Sequence, residues 1–205
     1  MIQKESDQPK RGRPRAYNPA EALKAARDVF WLKGYAATSL DDIVAATGMN
    51  RPSLYAAFGD KEAIYLAALK MQGGALVASI AGAVALDLKL KAFLDLFFKA
   101  CIDSYLTGAA GPRGCFLVGT ALTESLAKGD VGAIVRETFE RCDDLLETRF
   151  KRAKKEGDLP KTADARALAL LVSSTMHELA MYARSGASRA SLESRVAMAR
   201  RLIGV

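Results

Sequence analysis

The stretch Ser39–Phe58, SLDDIVAATGMNRPSLYAAF, reads as two short helices joined by a tight turn. Ser39 is a helix-capping residue followed three positions later by Asp42, so each side chain can satisfy a free amide near the other. Ile43 and Val44 turn inward, and Thr47-Gly48-Met49-Asn50 interrupts the helix. Asn50 caps the next one, 51–57, which Leu54 and Phe58 anchor. Upstream, Asn18-Pro19-Ala20-Glu21 places a cap, a proline at the first helical position and a Glu at the third. That predicts a helix over 19–33 with Leu23, Ala26, Val29 and Phe30 as its buried stripe and Gly34 as its stop.

Downstream, Gly59-Asp60-Lys61-Glu62 opens the first of several longer helices, expected at roughly 60–84, 88–107, 114–127, 131–156, 163–184 and 189–203. Gly- and Pro-containing breaks separate them, and strand-type alternation is lacking. The expected fold is all-α with about nine helices and no internal repeat. Residues 1–17 carry Pro9, Gly12 and Pro14 without apolar periodicity and read as a flexible arm. Residues 18–62 form a first domain, with the paired short helices at about 39–58, and 63–205 form a larger helical domain.

Composition narrows the function. The chain has 205 residues, is 50% hydrophobic and 26% charged, and carries a formal +7, which fits a globular protein with a sizeable core. Cys101, Cys115 and Cys142 are odd in number and lack C-x-x-C spacing, so neither a disulfide framework nor a zinc pattern is expected, and a reducing cytoplasm is the natural compartment. The polar start does not read as a signal peptide. The longest uncharged apolar run, 73–86, falls short of the ~20 residues a membrane helix needs, so a buried helix is expected and no membrane partner. His177 is the one histidine, and no phosphate-loop, dinucleotide or nucleophile-elbow motif occurs, so we expect no metal, no cofactor and no enzyme.

Two short helices around a Gly-containing turn, braced by a preceding helix, match a helix-turn-helix. In that geometry the second helix of the pair enters the major groove of double-stranded DNA and exposes Asn50, Arg51, Pro52, Ser53, Tyr55 and Ala56. Arg51 suits guanine, Tyr55 a phosphate, Thr38 and Ser39 at a helix N-terminus a second phosphate, and Lys61 a third. Residues 1–61 hold ten basic and seven acidic side chains, and Lys10, Arg11, Arg13 and Arg15 crowd into six positions. Arg11, Arg13 and Arg15 suit the narrow minor groove of A·T-rich DNA. A compact helical subdomain beside a solvated charge run is the plain alternative.

From Ala22 to Leu69 the chain resembles the DNA-binding domain of the TetR/AcrR transcriptional regulators. The resemblance rests on Phe30, Gly34-Tyr35, Thr38-Ser39, Asp42-Ile43, Thr47-Gly48, Ser53-Leu54-Tyr55, Phe58 and Lys61-Glu62. It implies a homodimeric repressor whose larger domain holds a small-molecule effector. It also implies phosphate contacts from Thr38, Ser39, Tyr55 and Lys61, and base reading from Arg51 to Ser53.

In the larger domain, Leu90, Phe93, Leu94, Phe97, Cys101 and Tyr105 lie at helical spacing. Core packing explains most of that stripe. The effector pocket implied by the resemblance would draw on Phe97, Cys101, Tyr105, Phe116, Phe139, Met176 and His177. Cys115, at a predicted helix start two residues from Arg113, is the candidate redox- or electrophile-sensing thiol, because both features favour the thiolate. Over 163–184, Leu168, Leu171, Val172, Thr175, Leu179 and Tyr182 make one stripe, and Ala167, Leu170, Ser174 and Met181 a neighbouring one. The last helix adds Leu192, Val196, Ala199 and Ile203. The resemblance implies a four-helix dimer interface from these two helices, expected to use Leu170, Ser174, Met181, Leu192, Val196, Ala199 and Ile203. Two rivals stand beside this reading: a helical ligand-binding enzyme using Cys115 or Tyr105, and a nonspecific architectural DNA binder.

Overall fold

The structure is a computed structural model that describes residues 18–108, 111–125 and 129–204. The arm with Arg11, Arg13 and Arg15 lies outside the described residues. Within them every regular element is helical: α1 Pro19–Lys33, α2 Leu40–Thr47, α3 Arg51–Phe58, α4 Lys61–Ala85, α5 Leu90–Leu106, α6 Leu122–Glu124, α7 Gly129–Glu156, α8 Ala165–Arg184 and α9 Arg189–Ile203. Among the described residues the chain adopts the expected all-α fold of about nine helices. The helix expected over 114–127 is largely a π-helical turn, Leu117–Ala121, that runs into α6. Gly119 within it lies against α8, where a Cβ would stand 3.2 Å from Arg184 Cδ.

Local chemistry sets the first four helix starts. Asn18 Oδ1 accepts from Ala20 N at 3.0 Å, Asn50 Oδ1 from Ser53 N at 2.9 Å and Asp60 Oδ1 from Ala63 N at 2.8 Å. Ser39 and Asp42 form the reciprocal capping box. Gly48 ends α2 in the left-handed region at φ 66°, which lets the chain turn directly into α3.

α4 is the spine. Its first half buries Ile64, Tyr65, Ala68 and Leu69 with Phe30, Trp31, Ile43 and Leu54 of α1–α3. Its second half buries Val77, Ile80 and Val84 with Phe93, Leu94, Phe97 and the inner faces of α7 and α8. By length and composition α4 could cross a membrane, but these side chains are inside two protein cores, which accounts for its apolarity. The division expected at 62/63 thus falls in the first turn of a helix that belongs to both parts.

α7 crosses close to α4 at Gly73, where a Cβ would lie 2.7 Å from Thr138 Oγ1. At the far end of α4, Arg152 donates to the carbonyls of Val84 at 2.9 Å and Leu86 at 2.8 Å. The fully buried Arg149 donates to Leu88 O at 2.6 Å, and Asp158 Oδ2 accepts from Leu90 N at 2.8 Å to start α5. Arg152 and Asp158 satisfy backbone groups that helix ends leave open, and Arg149 satisfies a carbonyl of the linker between α4 and α5.

The two kinds of glycine in α4 give a test. Gly73→Ala should destabilise the protein by about 1–3 kcal/mol through overpacking against α7. Gly82→Ala, whose Cβ meets nothing within 4 Å, should stabilise it by about 0.5–1 kcal/mol. Urea unfolding reads both.

Candidate nucleic-acid interface and core cleft

α3 rests on the buried Leu54 and leaves Asn50, Arg51, Pro52, Tyr55 and Ala56 exposed, with Ser53 half-buried. The Asn50 side chain is occupied as the cap of α3, so it shapes the interface. Arg51 is not free. Its guanidinium forks onto Asp41 of α2, with Nη2 at 2.7 and 2.8 Å from the two carboxylate oxygens and Nε at 3.1 Å. Both partners are exposed, so the pair is weak enough to be exchanged for a stronger planar acceptor.

The phosphate candidates divide. Ser39 is exposed, but its hydroxyl and amide both face Asp42, at 2.9 Å each. Lys33 Nζ joins the same carboxylate at 2.6 Å. The Lys33 ammonium, with the amide and hydroxyl of Ser39, holds the Asp42 carboxyl down to about 2. Thr38 requires correction: it is 2% exposed, and its hydroxyl donates to Gly34 O at 2.6 Å and its amide to Tyr35 O at 3.3 Å. Being buried, it braces the α1–α2 turn and does not stand at the surface. Lys61 caps the Tyr35 ring, with Nζ 4.4 Å from its centroid, and Tyr55 is 45% exposed.

The seven effector candidates do not converge. Phe97, Cys101, Tyr105 and Met176 share one cleft of about 270 Å³ between α4 and α5, closed by Gln72, Ala75, Leu76, Ser79, Ile80 and Ala83 and by Leu96, Ala100 and Ser104. Phe116 lies elsewhere, packed on Trp31 and Tyr65 with centroids at 5.6 and 6.0 Å. Phe139 and His177 pair with each other at 4.3 Å where α7 meets α8. Helical spacing marks these residues as inward-facing and cannot say which interior they reach. A wider cleft of about 620 Å³ is the open seam between α1 and Gly108, Gly111, Pro112 and Arg113.

Cys115 also requires correction. The Leu117 and Val118 amides do favour its thiolate, but burial outweighs them and raises the thiol. The Arg113 guanidinium is stacked on the Trp31 ring at 4.0 Å and bonded to Asp28 at 3.2 Å. Burial pushes Cys101 and Cys142 up to about 12 as well.

Sequence reasoning missed the joint around Trp31. The indole Nε1 donates to Arg113 O at 2.9 Å. Arg184 Nη1, from the end of α8, donates to the same carbonyl at 3.1 Å and to Trp31 O at 3.2 Å. Arg27 Nη1 donates to Gln72 Oε1 in the cleft wall at 3.0 Å. The one available signal was two adjacent large aromatics, Phe30 and Trp31, at the end of a helix, which need two different neighbours.

On the outer faces of α8 and α9, Leu170 (41%), Met181 (54%), Met198 (57%) and Leu202 (73%) are exposed, and Ser174 lies among them. Leu192, Ala199 and Ile203 are buried inside their own chain, and Val196 packs against the same core. This corrects the α9 half of the expected interface: the more apolar stripe of α9 faces inward, and Met198 and Leu202 mark the open one.

Known proteins match this architecture over most of its length. Residues 22–68 match the family described as bacterial regulatory proteins, tetR family. Residues 89–199 match the tetracyclin repressor-like C-terminal domain. The HTH-type transcriptional repressor ComR of Escherichia coli (strain K12) is 31% identical over 180 residues, covering 87% of this chain and 85% of that one. The HTH-type transcriptional activator FasR of Mycolicibacterium smegmatis is 33% identical over 133 residues, covering 65% and 58%. Among solved structures, a cysteine mutant of the TetR family transcriptional regulator CifR, complexed with 26-bp double-strand operator DNA, superposes with a TM-score of 0.80 at 30% identity, covering 92% of this chain and 98% of that one.

Because burial raises all three thiols, iodoacetamide at pH 8 should alkylate the folded protein at least ~10-fold more slowly than the urea-unfolded chain. Mass spectrometry of each cysteine peptide against time checks this.

Proposed function

The chain belongs to the TetR family of bacterial regulatory proteins, and from that premise we propose a cytoplasmic, dimeric, effector-responsive repressor that reads a pseudo-palindromic operator. The observation that carries the reading is α3: capped by Asn50, anchored by Leu54 and turned outward with Arg51, Pro52, Tyr55 and Ala56. An α-helix fits the major groove, and two copies related by a two-fold axis would read half-sites ~34–36 Å apart. Repression is favoured by ComR, a relative similar over 87% of the chain. No catalytic role is proposed, since His177 is paired with Phe139 away from the α4–α5 cleft.

In this reading Arg51 exchanges Asp41 for a guanine edge, Tyr55, Lys61 and Ser39 meet phosphates, and Arg11, Arg13 and Arg15 follow the minor groove. The dimer forms where Leu170, Ser174 and Met181 of α8 and Met198 and Leu202 of α9 leave an apolar strip open, edged by Arg195 stacked 3.4 Å over Tyr182. The effector occupies the α4–α5 cleft and acts only through its different affinity for the operator-bound and released states.

Electrophoretic mobility and fluorescence anisotropy with the cognate operator and random duplex test the reading. Arg51→Ala should lose about 1–3 kcal/mol of discrimination, whereas Lys61→Ala should weaken all sequences alike and flatten the salt dependence. Equal affinity for operator and random DNA in the unmutated protein overturns sequence-specific reading.

The dimer has its own test. Met181→Arg combined with Leu202→Arg should give a folded monomer by analytical ultracentrifugation, with operator affinity lost. A double variant that sediments as a dimer places the interface elsewhere.

A further inference from the structure

The α4–α5 cleft has a chemistry that narrows its ligand, and this inference rests on the effector reading above. Among the residues lining it there is no Lys, Arg, Asp, Glu or His. Its buried floor is Ile80, Phe97, Tyr105 and Met176, with the Cys101 thiol beside them, and the walls carry small side chains such as Ala100 and Ser79. Its volume, about 270 Å³, lies just below the ~300–1,000 Å³ of sites for drug-sized molecules. An ion reaching the buried floor would lose water and find no counter-charge among the lining side chains, a cost of several kcal/mol. The floor supplies hydrogen-bonding groups at Tyr105 and Cys101, which bond each other. Burial raises both groups, Tyr105 well above its ordinary range, so both stay neutral.

Tyr105 also has a second connection. Its carbonyl accepts from Arg113 N at 3.0 Å and Gly114 N at 3.1 Å, so the last turn of α5 holds the segment that clamps Trp31. Gly114 is in the left-handed region at φ 63°, and a Cβ there would lie 2.4 Å from Ala180 O, so this segment has little freedom to shift without moving α8. From the cleft floor to α1 the path is Tyr105, Arg113, then Trp31 and Asp28.

We propose that this cleft takes a small uncharged molecule, one ring or a short chain with a single hydroxyl- or carbonyl-type group, and that Tyr105 receives that group and relays its presence to the reading head through Arg113 and Trp31. Such a ligand competes with Cys101 for the phenol and tilts the end of α5. The Arg113–Trp31 stack is the first contact outside the cleft to register it.

Benzyl alcohol, benzoate and benzylamine have one ring and one polar group each and differ chiefly in charge. Titration calorimetry on the full-length protein should show benzyl alcohol binding at least tenfold more tightly than either ion. Ala100→Trp and Ser79→Trp, which fill the cleft from opposite exposed walls, should each abolish that binding in calorimetry. Tyr105→Phe should weaken benzyl alcohol but not toluene. Trp31 is the only tryptophan, so its emission should shift with benzyl alcohol in the unmutated protein. In Arg113→Gln the calorimetric affinity should persist while the emission shift and operator release disappear. Ionic probes binding as well as benzyl alcohol, no binding of benzyl alcohol, or binding that survives both tryptophan variants overturns the ligand class. Retention of emission shift and operator release in Arg113→Gln overturns the relay. Loss of operator binding without any probe would instead strike the regulator reading, because the calorimetric arms need no DNA.

Discussion

The hydrogen bond from Trp31 to the carbonyl of Arg113 is the contact around which the two parts of the molecule are organised. A buried indole N–H has no acceptor of its own and must find one. Here the acceptor comes from a segment 82 residues away, and the same carbonyl also receives Arg184. Three segments, the end of α1, the stretch after α5 and the end of α8, are thereby tied at one oxygen. The apolar side of the same ring meets Phe116, so the core around α1–α3 continues into the π-helical turn, through Leu117 and Ala121, and the start of α7. The reading head therefore cannot tilt as a free module. Its orientation is a property of the body.

How much of this was legible depended on the range of the interaction. Caps act over three residues, so Asn18, Ser39, Asn50 and Asp60 announced four helix starts from neighbouring letters alone. The helix-turn-helix followed, because a left-handed glycine at 48 between two capped helices leaves few geometries. Burial, by contrast, depends on packing across distant segments. Thr38 looked like a surface residue at a helix start, yet the α1–α2 turn folds it inward. Arg113 looked like a neighbour of Cys115 because it is two residues away, but a backbone with Gly114 at positive φ sends the two side chains in different directions. Residues 192, 196, 199 and 203 did form a stripe, and the period was right. Which side of α9 met its own chain could be settled only by the position of α8. The same limit divided the effector set: seven inward-facing residues were recognised, and the separation of three interiors required the tertiary path of α4, α7 and α8.

α4 explains why a ligand in the body can matter to the head at all. Lys61 opens this helix beside Tyr35, Gln72 in its middle holds Arg27 of α1, and the residues from Ala75 to Ala83 line the cleft. An α-helix rises 1.5 Å per residue, so these features are spread over roughly 33 Å of one continuous element. Gly73 brings α7 against it at mid-length, where a Cβ would press on Thr138, so the helix has a fixed contact near its centre. In the relay proposed above, that contact keeps the cleft half and the reading half of α4 in register, because close-packed interiors shift between discrete arrangements more readily than they deform.

The energetic scale of such a switch is set by what holds the head in place. The ion pairs on its surface, Arg51 with Asp41 and Lys33 with Asp42, are exposed and contribute little on their own. The joint offers partly buried hydrogen bonds from Trp31 and Arg184 and one close cation–π stack, contributions of order 1 kcal/mol each. Allosteric coupling energies are typically about 1–3 kcal/mol. A ligand that disturbs one or two of these contacts therefore supplies coupling of the right size, without unfolding either core. A larger, wholly apolar joint would have locked the head rigidly, and one made of surface ion pairs would have left it unresponsive to the body. The mixture of indole, guanidinium and carbonyl groups at Trp31 falls between those extremes, which is where a reversible regulator has to operate.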